Sequence, residues 1–313
     1  MAELQPLIHL LSCPTCHGFL NWCKVAATCQ YCVRTFPVVD GIPVFLPQPV
    51  NLGHAPRAEE HRHKAQQAAF YDEEDPEFEI MRPHGTPRIY HWLLAEKSRR
   101  SLAGLCRVPK STVLTVCGGS GMDADFLAHA LPGTHFIASD ISLGAAQRTA
   151  ERARRFGLAI FSIVADVEHL PFADHAIDLV YVHDGLHHLE DPGTGLSEMA
   201  RVAARAVSVT EPCAASATRL AVRLHIAQDT EDAGNRVARL ESSRVIHDLS
   251  QAGFDGFYVD RYAMYYKHHP GAVMRVLSNP GLFVISRFAW HIANALVVRF
   301  GNKITVQAYR VQE

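Results

Sequence analysis

From residue 112 onward short apolar runs alternate with amphipathic stretches, and this alternation constrains the fold more than any other feature of the chain. Val113-Leu114-Thr115-Val116-Cys117 reads as a buried strand. Gly118-Gly119-Ser120-Gly121 follows as a tight turn, and Met122 to Leu131 reads as a helix with Asp123 favourable near its positive end. His135–Ala138 is a second strand ending in Ser139-Asp140, and a helix runs from about Leu143 to Phe156. Ala159–Val164, Ile177–Val182 and Val207–Thr210 are the next strands, with a helix around Leu196–Arg205 before the last of them. Phe257–Arg261 and Ile304–Arg310 read as strands six and seven. The pattern predicts an α/β fold, a Rossmann-like, doubly wound, mostly parallel sheet of seven strands.

In such a sheet ligands bind outside the carboxyl ends of the strands. Gly119 and Gly121 remove Cβ atoms where backbone must approach a ligand closely. Asp140, 19 residues beyond Gly121, can accept both hydroxyls of a ribose. Asp166 follows the third strand and His183 the fourth. Gly119-x-Gly121-x-x-Ala124 with its downstream acid also satisfies the dinucleotide fingerprint, so the loop by itself leaves a nicotinamide cofactor open.

The first fifty residues obey a different rule. Four of the eight cysteines are spaced Cys13-x2-Cys16-x12-Cys29-x2-Cys32, two knuckles whose thiolates can converge on one tetrahedral ion. Structural zinc is the expected occupant, with a rubredoxin-like iron as the alternative. A disulfide framework suits poorly a long chain with further scattered cysteines. Cys23, between the knuckles, is expected not to be a ligand. A segment of about fifty residues buries too little surface to fold alone, and metal binding contributes the missing free energy. Phe36-Pro37-Val38-Val39-Asp40-Gly41-Ile42-Pro43-Val44-Phe45-Leu46 reads as two short strands around an Asp-Gly turn.

Pro47, Pro49, Gly53 and Pro56 mark a linker. Arg57–Phe70 has a polar helical pattern, Asp72-Glu73-Glu74-Asp75 reads as a solvated loop, and residues 88–104 as an amphipathic helix able to cap the pocket of the main domain. The expected division is a zinc ribbon at 1–50, linker and cap helices at 51–108, and the α/β domain at 109–313 with an insert at about 262–303. That insert carries Tyr262, Tyr265, Tyr266, His268 and His269 and either lids the acceptor or simply packs. Leu282–Phe300 is the most membrane-like stretch, but Arg287, His291, Asn294 and Arg299 disqualify it as a spanning helix. Arg287, His291 and Asn294 form one polar stripe of an amphipathic helix, expected to pack on the core, with a lipid-facing helix as the alternative. Arg148, Arg152 and Arg155 read as a solvated face, with a phosphate contact as the alternative. The 30 Lys and Arg against 32 Asp and Glu leave a net charge of −2, so no strong basic field exists to hold a long nucleic acid. Met1-Ala2-Glu3-Leu4 lacks the basic start of a secretion signal, and the cytoplasm is the expected location.

Two resemblances narrow this reading. Cys-Pro-x-Cys-His-Gly at 13–18, the second knuckle, and Phe36-Pro37-Val38-x-Asp40-Gly41-Ile42-Pro43 are similar to the zinc-ribbon domain of the small activator proteins that partner methyltransferases. This implies a scaffold without catalytic duty. Further on, Asp166-Val167-Glu168-His169-Leu170-Pro171-Phe172-Ala173-Asp174, Asp178-Leu179-Val180, Leu186-His187-His188-Leu189-x-Asp191-Pro192 and Glu198-Met199-x-Arg201-Val202 occur in order. Over about residues 110–211 the string resembles the class I S-adenosylmethionine-dependent methyltransferases, within them the small-molecule branch that includes the ubiquinone and menaquinone C-methyltransferases.

The resemblance implies S-adenosylmethionine as cofactor. Its methionine part falls to the Cys117–Gly121 turn, hence to Cys117, Gly119 and Gly121. Its ribose falls to Asp140, its adenine to Asp166 and Val167, and its transferable methyl lies near His183. The sheet is expected to end with an antiparallel pair. The chain departs from the family pattern at Cys117, where a glycine is usual, and at Thr115, where an acid is usual. The implied activity is methyl transfer to a small-molecule acceptor. His183 and His187 are the candidate catalytic bases, since histidine titrates near neutrality. A histidine metal site lacks a clear third ligand. Glu211 either orients a substrate group or caps a loop. An RNA methyltransferase is the alternative, because ribosomal guanine methyltransferases also join an N-terminal zinc module to this fold. The charge balance and His183-Asp184-Gly185, in place of an Asn/Asp-Pro-Pro-aromatic motif, speak against it. A non-catalytic, cofactor-binding partner of another methyltransferase is the third reading.

Overall fold

The computed structural model describes residues 7–46, 58–73, 87–213, 240–264, 272–297 and 300–311. The expected linker, Glu74 and Asp75 of the acidic run, and Tyr265, Tyr266, His268 and His269 lie outside the described residues.

The cysteine-rich region forms an antiparallel sheet in the order β1 (Leu20–Trp22), β2 (Ala26–Cys29), β3 (Thr35–Val39) and β4 (Ile42–Pro43). Asp40 and Gly41 between the last two strands hold φ of +51° and +83°. A two-residue type I′ hairpin demands positive φ at both positions, and Asp-Gly is among the few pairs that supply it readily.

Two helices follow, α1 (Ala58–Asp72) and α2 (Arg88–Arg100). The main body then runs β5 (Thr112–Val116), α3 (Met122–Ala130), β6 (His135–Asp140), α4 (Leu143–Phe156), β7 (Ile160–Val164), β8 (Ile177–His183), α5 (Pro192–Val202) and β9 (Ala203–Pro212). It continues through α6 (Ser242–Gln251), β10 (Gly256–Tyr262), α7 (Ala272–Leu277), α8 (Pro280–Val297) and β11 (Lys303–Tyr309). The seven strands lie in the order β10-β11-β9-β8-β5-β6-β7. Only β11 runs antiparallel, to β9 on one side and β10 on the other. The chain winds outward from β5 to β7 and crosses back to β8, so the switch point lies between β5 and β8, where ligands bind in open sheets.

Local chemistry sets several boundaries. Ser142 Oγ accepts a hydrogen bond from Ala145 N at 2.9 Å and starts α4, and Gly157 at φ +65° ends it. Asp191 caps α5, with Pro192 in its first turn. The helix read to Arg205 stops at Val202 instead. Ala203 pairs with Ile177 on β8 and Arg205 reaches Asp178 at 2.8 Å, so sheet pairing claims residues whose own preference is helical. The arginine stripe on α4 is solvated only at Arg155. Arg152 is 2% exposed and pairs with Asp125 at 3.2 Å, and Arg148 donates to the Tyr71 carbonyl.

One apolar core runs through both parts of the molecule, joining Leu11, Phe36 and Phe45 to Leu170, Phe172 and Val182. Ser12 N donates to the Pro171 carbonyl at 2.8 Å and Phe45 N to that of Val164 at 2.7 Å. Val44 forms a parallel bridge to Val164, so the ribbon covers the edge that β7 would otherwise expose.

The other end of the sheet carries α7 and α8, and α8 packs through Phe283 and Trp290 on an apolar cluster with Ile89, Leu93 and Tyr262. Of its polar stripe only Asn294 is buried, bonding both the N–H and the carbonyl of Ala263, at 2.6 and 3.2 Å, while Arg287 and His291 stay exposed. The Arg287 guanidinium lies 5.2 Å from the centre of the Trp92 ring and the His291 ring 5.5 Å from it. Ile285, Phe288, Ile292 and Leu296 on the opposite face are exposed. Among the described residues no helix is long and apolar enough to cross a membrane.

Candidate active site

The turn after β5 is left-handed at Cys117 (φ +52°), Gly119 (+52°) and Gly121 (+77°). At Gly121 an added Cβ would lie 2.6 Å from the Thr149 side chain, while above Gly119 there is open space, with nothing within 4 Å. Cys117 stands where the conformation favours glycine, at a cost of about 1–2 kcal/mol. The loop after β8 makes room for its side chain: a Cβ on Gly185 would sit 2.4 Å from the Cys117 Cβ. Burial pushes the Cys117 thiol well above its ordinary pKa, so it stays neutral.

Asp140, at the end of β6, accepts from Gly119 N through Oδ2 and from Ser142 N through Oδ1, each at 2.9 Å. The carboxyl is buried, which raises its pKa against these bonds. Each oxygen still has a lone pair for a further donor. Asp166, after β7, accepts from Glu168 N at 3.0 Å and from Lys64 Nζ at 2.7 Å. Lys64 also contacts Glu168. Burial opposes its charge, and the two carboxylates outweigh burial, so its pKa rises above the usual lysine range. Val167 is buried next to Asp166.

Lys64 belongs to α1, which straps the crevice. His63 Nε2 lies 2.8 Å from the His188 carbonyl, and Tyr71 OH 3.4 Å from His188 Nε2. Asp72 accepts from Ser142 Oγ at 2.6 Å and Gly144 N at 2.7 Å, at the start of α4.

The two candidate bases sit in separate buried networks. His183, the last residue of β8, places Nδ1 3.0 Å from Asp123 Oδ1 and Nε2 3.3 Å from Asp184 Oδ2. Burial, aided by the Lys97 ammonium, lowers its pKa to about 4 despite the pull of Asp123. The ring is therefore neutral at pH 7. Asp184 is held between Lys97 Nζ, at 3.0 Å, and Lys303 Nζ. His187 Nδ1 lies 2.7 Å from Glu211 Oε2. Glu211 Oε1 accepts from Gly185 N and Leu186 N, both at 2.8 Å. Glu211 is completely buried, so it caps the loop and orients His187 instead of facing an acceptor. Asp184, His187 and Glu211 bring donor atoms within 4.8 Å of one another, supplying the third metal-type ligand that the sequence did not suggest. Lysines and N–H donors of the chain already satisfy both carboxylates.

In the ribbon the four thiol sulfurs of Cys13, Cys16, Cys29 and Cys32 lie within 4.8 Å of one another, and the 13–32 and 16–29 pairs are 3.6 and 3.5 Å apart. Four sulfurs about 2.3 Å from a tetrahedral zinc are about 3.8 Å apart, so the donor set fits such an ion. Thr15 N points at Cys13 Sγ, at 3.5 Å, and Tyr31 N and Cys32 N point at Cys29 Sγ, at 3.4 and 3.5 Å, as around metal-bound thiolates. Cys23 is exposed and outside the cluster.

Sequence reasoning did not find Lys64, Lys97 or Lys303, nor the partnership of Asp123 with His183. Their partners are 60 to 119 residues away, and no local pattern marks them.

Residues 113–205 match the model of a methyltransferase domain family. The chain thus carries a methyltransferase domain on a Rossmann-like sheet, joined to a four-cysteine ribbon. A demethylmenaquinone methyltransferase of Corynebacterium urealyticum is 36% identical over 104 residues, 33% of this chain and 42% of that protein. A demethylmenaquinone methyltransferase of Renibacterium salmoninarum is 30% identical over 138 residues, 43% of this chain and 53% of that protein. The chain spans about half or less of the length of these relatives. The crystal structure of the 4+2 cyclase SpnF superposes with a TM-score of 0.50 at 16% identity, over 75% of this chain and 86% of that one. That neighbour is a cyclase, so the likeness carries the fold and not a reaction.

Proposed function

We propose that the chain is an S-adenosylmethionine-dependent methyltransferase acting on a small-molecule acceptor, with structural zinc in its ribbon. The observation that carries this reading is the Asp140 carboxylate. It is tied to Gly119 N of the glycine turn, beside the open space over Gly119, and keeps acceptor capacity for a ribose.

In this reading Cys117, Gly119 and Gly121 hold the methionine part of the cofactor and Asp140 its ribose hydroxyls. Asp166 and Val167 meet the adenine, and His183 lies near the methyl. Lys64 Nζ already donates to Asp166 Oδ2, so an adenine amino group would compete with it for that oxygen. Bound S-adenosylmethionine supplies an electrophilic methyl carbon. The work of the chain is to align the acceptor, exclude water and take a proton where the acceptor must lose one. His187 suits proton transfer. Donation of its Nδ1–H to Glu211 fixes the ring and leaves Nε2 as the acceptor. His183 donates Nδ1–H to Asp123 in the same manner and remains neutral. Cys13, Cys16, Cys29 and Cys32 hold the zinc, whose thiolates suit a reducing compartment such as the cytoplasm. The names of the two curated relatives support a small-molecule acceptor over RNA.

Incubation with methyl-labelled S-adenosylmethionine and a panel of quinols, phenols and amines tests the reading. Label transferred to a member of the panel supports it. Label found only in added RNA overturns the acceptor class.

A further inference from the structure

The α7–α8 pair carries an apolar face that the described residues leave uncovered. Ile285, Phe288, Ile292 and Leu296 follow one another at helical spacing along α8, and Val273 and Val276 are exposed on α7. Phe288 is 68% and Leu296 78% exposed. Contiguous exposed apolar surface of this kind marks an interaction site. The inward side of α8 packs Phe283 and Trp290 against α2 and α7 and is pinned by Asn294 to the Ala263 backbone, so the orientation is fixed.

Charge selects the occupant. From residue 261 to 312 the sequence holds seven Lys or Arg and no Asp or Glu, although the whole chain has a net charge of −2. Arg275 and Arg287 flank the patch and are exposed. A second copy of the chain would set like charge against like. An anionic lipid surface offers acyl chains for the apolar side chains and headgroups for the arginines.

We propose that α7 and α8 dock this face flat on an anionic bilayer, without crossing it. At 18 residues, α8 would lie about 27 Å along the surface. It packs on α2 through the edge-on Trp92–Trp290 pair, with ring centres 5.2 Å apart, and α2 carries Lys97 to Asp184. Docking therefore brings the α2 side of the crevice to headgroup level, where an acceptor dissolved in lipid would enter. The docking itself does not rest on methyl transfer.

The test is sedimentation of the full chain with vesicles of equal parts phosphatidylglycerol and phosphatidylcholine, and with phosphatidylcholine alone, neither cofactor nor acceptor being present. The chain should pellet with the mixed vesicles and bind the neutral ones at least about tenfold more weakly. The double variant Ile285→Ser, Phe288→Ser should lose about a hundredfold in vesicle affinity, while its circular dichroism and melting stay those of the parent. Absence of binding to mixed vesicles overturns the proposal, as does equal binding by the variant. So does a parent dimer that the same two substitutions dissociate, because the face would then meet a second copy.

Discussion

The ribbon and the α7–α8 pair both flank the seven-stranded sheet, and they treat their apolar residues in opposite ways. At the β7 edge, Leu11, Phe36 and Phe45 enter the main core, and Val44 bridges to Val164. At the β10 end, α8 turns Asn294 inward and leaves Ile285 and Phe288 outside. The ribbon is too small to fold on its own resources, so it leans on a metal-type cluster and on the core of its neighbour. The outer α8 face gains nothing from the described residues, and the proposed bilayer contact would bury it. The direction of burial, which composition does not give, separates a structural accessory from an interacting one.

The largest expected effect tests the ribbon half of this contrast. Cys29→Ser, or zinc chelation, should abolish amide protection over 26–45 and lower the stability of the whole chain by at least about 3 kcal/mol in urea titration. Ile285→Ser in α8 should stay within about 0.5 kcal/mol of the parent. Equal losses at the two places would break the contrast. Glu211→Ala should come next. It strips one buried carboxylate from Gly185 N, Leu186 N and His187 Nδ1, at a cost of about 3 kcal/mol, while Glu211→Gln, which keeps an acceptor, should cost less.

A comparable effect should appear with pH. Folded His183 has a pKa of about 4 against an ordinary 6.5, so the unfolded chain takes up the proton first as pH falls. The resulting stability is full above about 6.5 and is lost down to about 4, by about 3 kcal/mol. Comparing urea midpoints of the parent and His183→Gln at pH 7 and pH 4.5 checks this: the variant should show a shallower loss. The smallest effect on binding belongs to the strap. Lys64→Met should tighten S-adenosylmethionine binding about threefold by freeing Asp166, while stability falls because Asp166 and Glu168 stay buried without their cation. Weaker binding would mean that Lys64 helps to hold the cofactor.

Much of the frame was legible because its signals are local. The limits of α4 follow from Ser142 and Gly157, and the Asp40-Gly41 turn from two residues. The glycine turn, Asp140, Asp166 and His183 were readable since each ends a strand, and the four cysteines because their spacing states their convergence. What was not legible is settled by distant segments. Whether residues 203–205 are helix or strand depends on β8. The two readings of Glu211 separate only when the loop after β8 turns Gly185 N and Leu186 N onto it. Arg152 looks solvated until α3 brings Asp125 to it. A polar residue is ordinarily read as lying on the outer face of a helix, and in α8 the backbone of Ala263 draws Asn294 to the inner one.

Calorimetric titration of S-adenosylmethionine into the zinc-loaded full chain, beside Asp140→Ala, tests the central claim most directly. The account predicts one cofactor per chain for the parent and an affinity at least about tenfold weaker for the variant, from the loss of charge-assisted hydrogen bonds to the ribose. No heat of binding with folded parent protein, or equal binding by the variant, would contradict it.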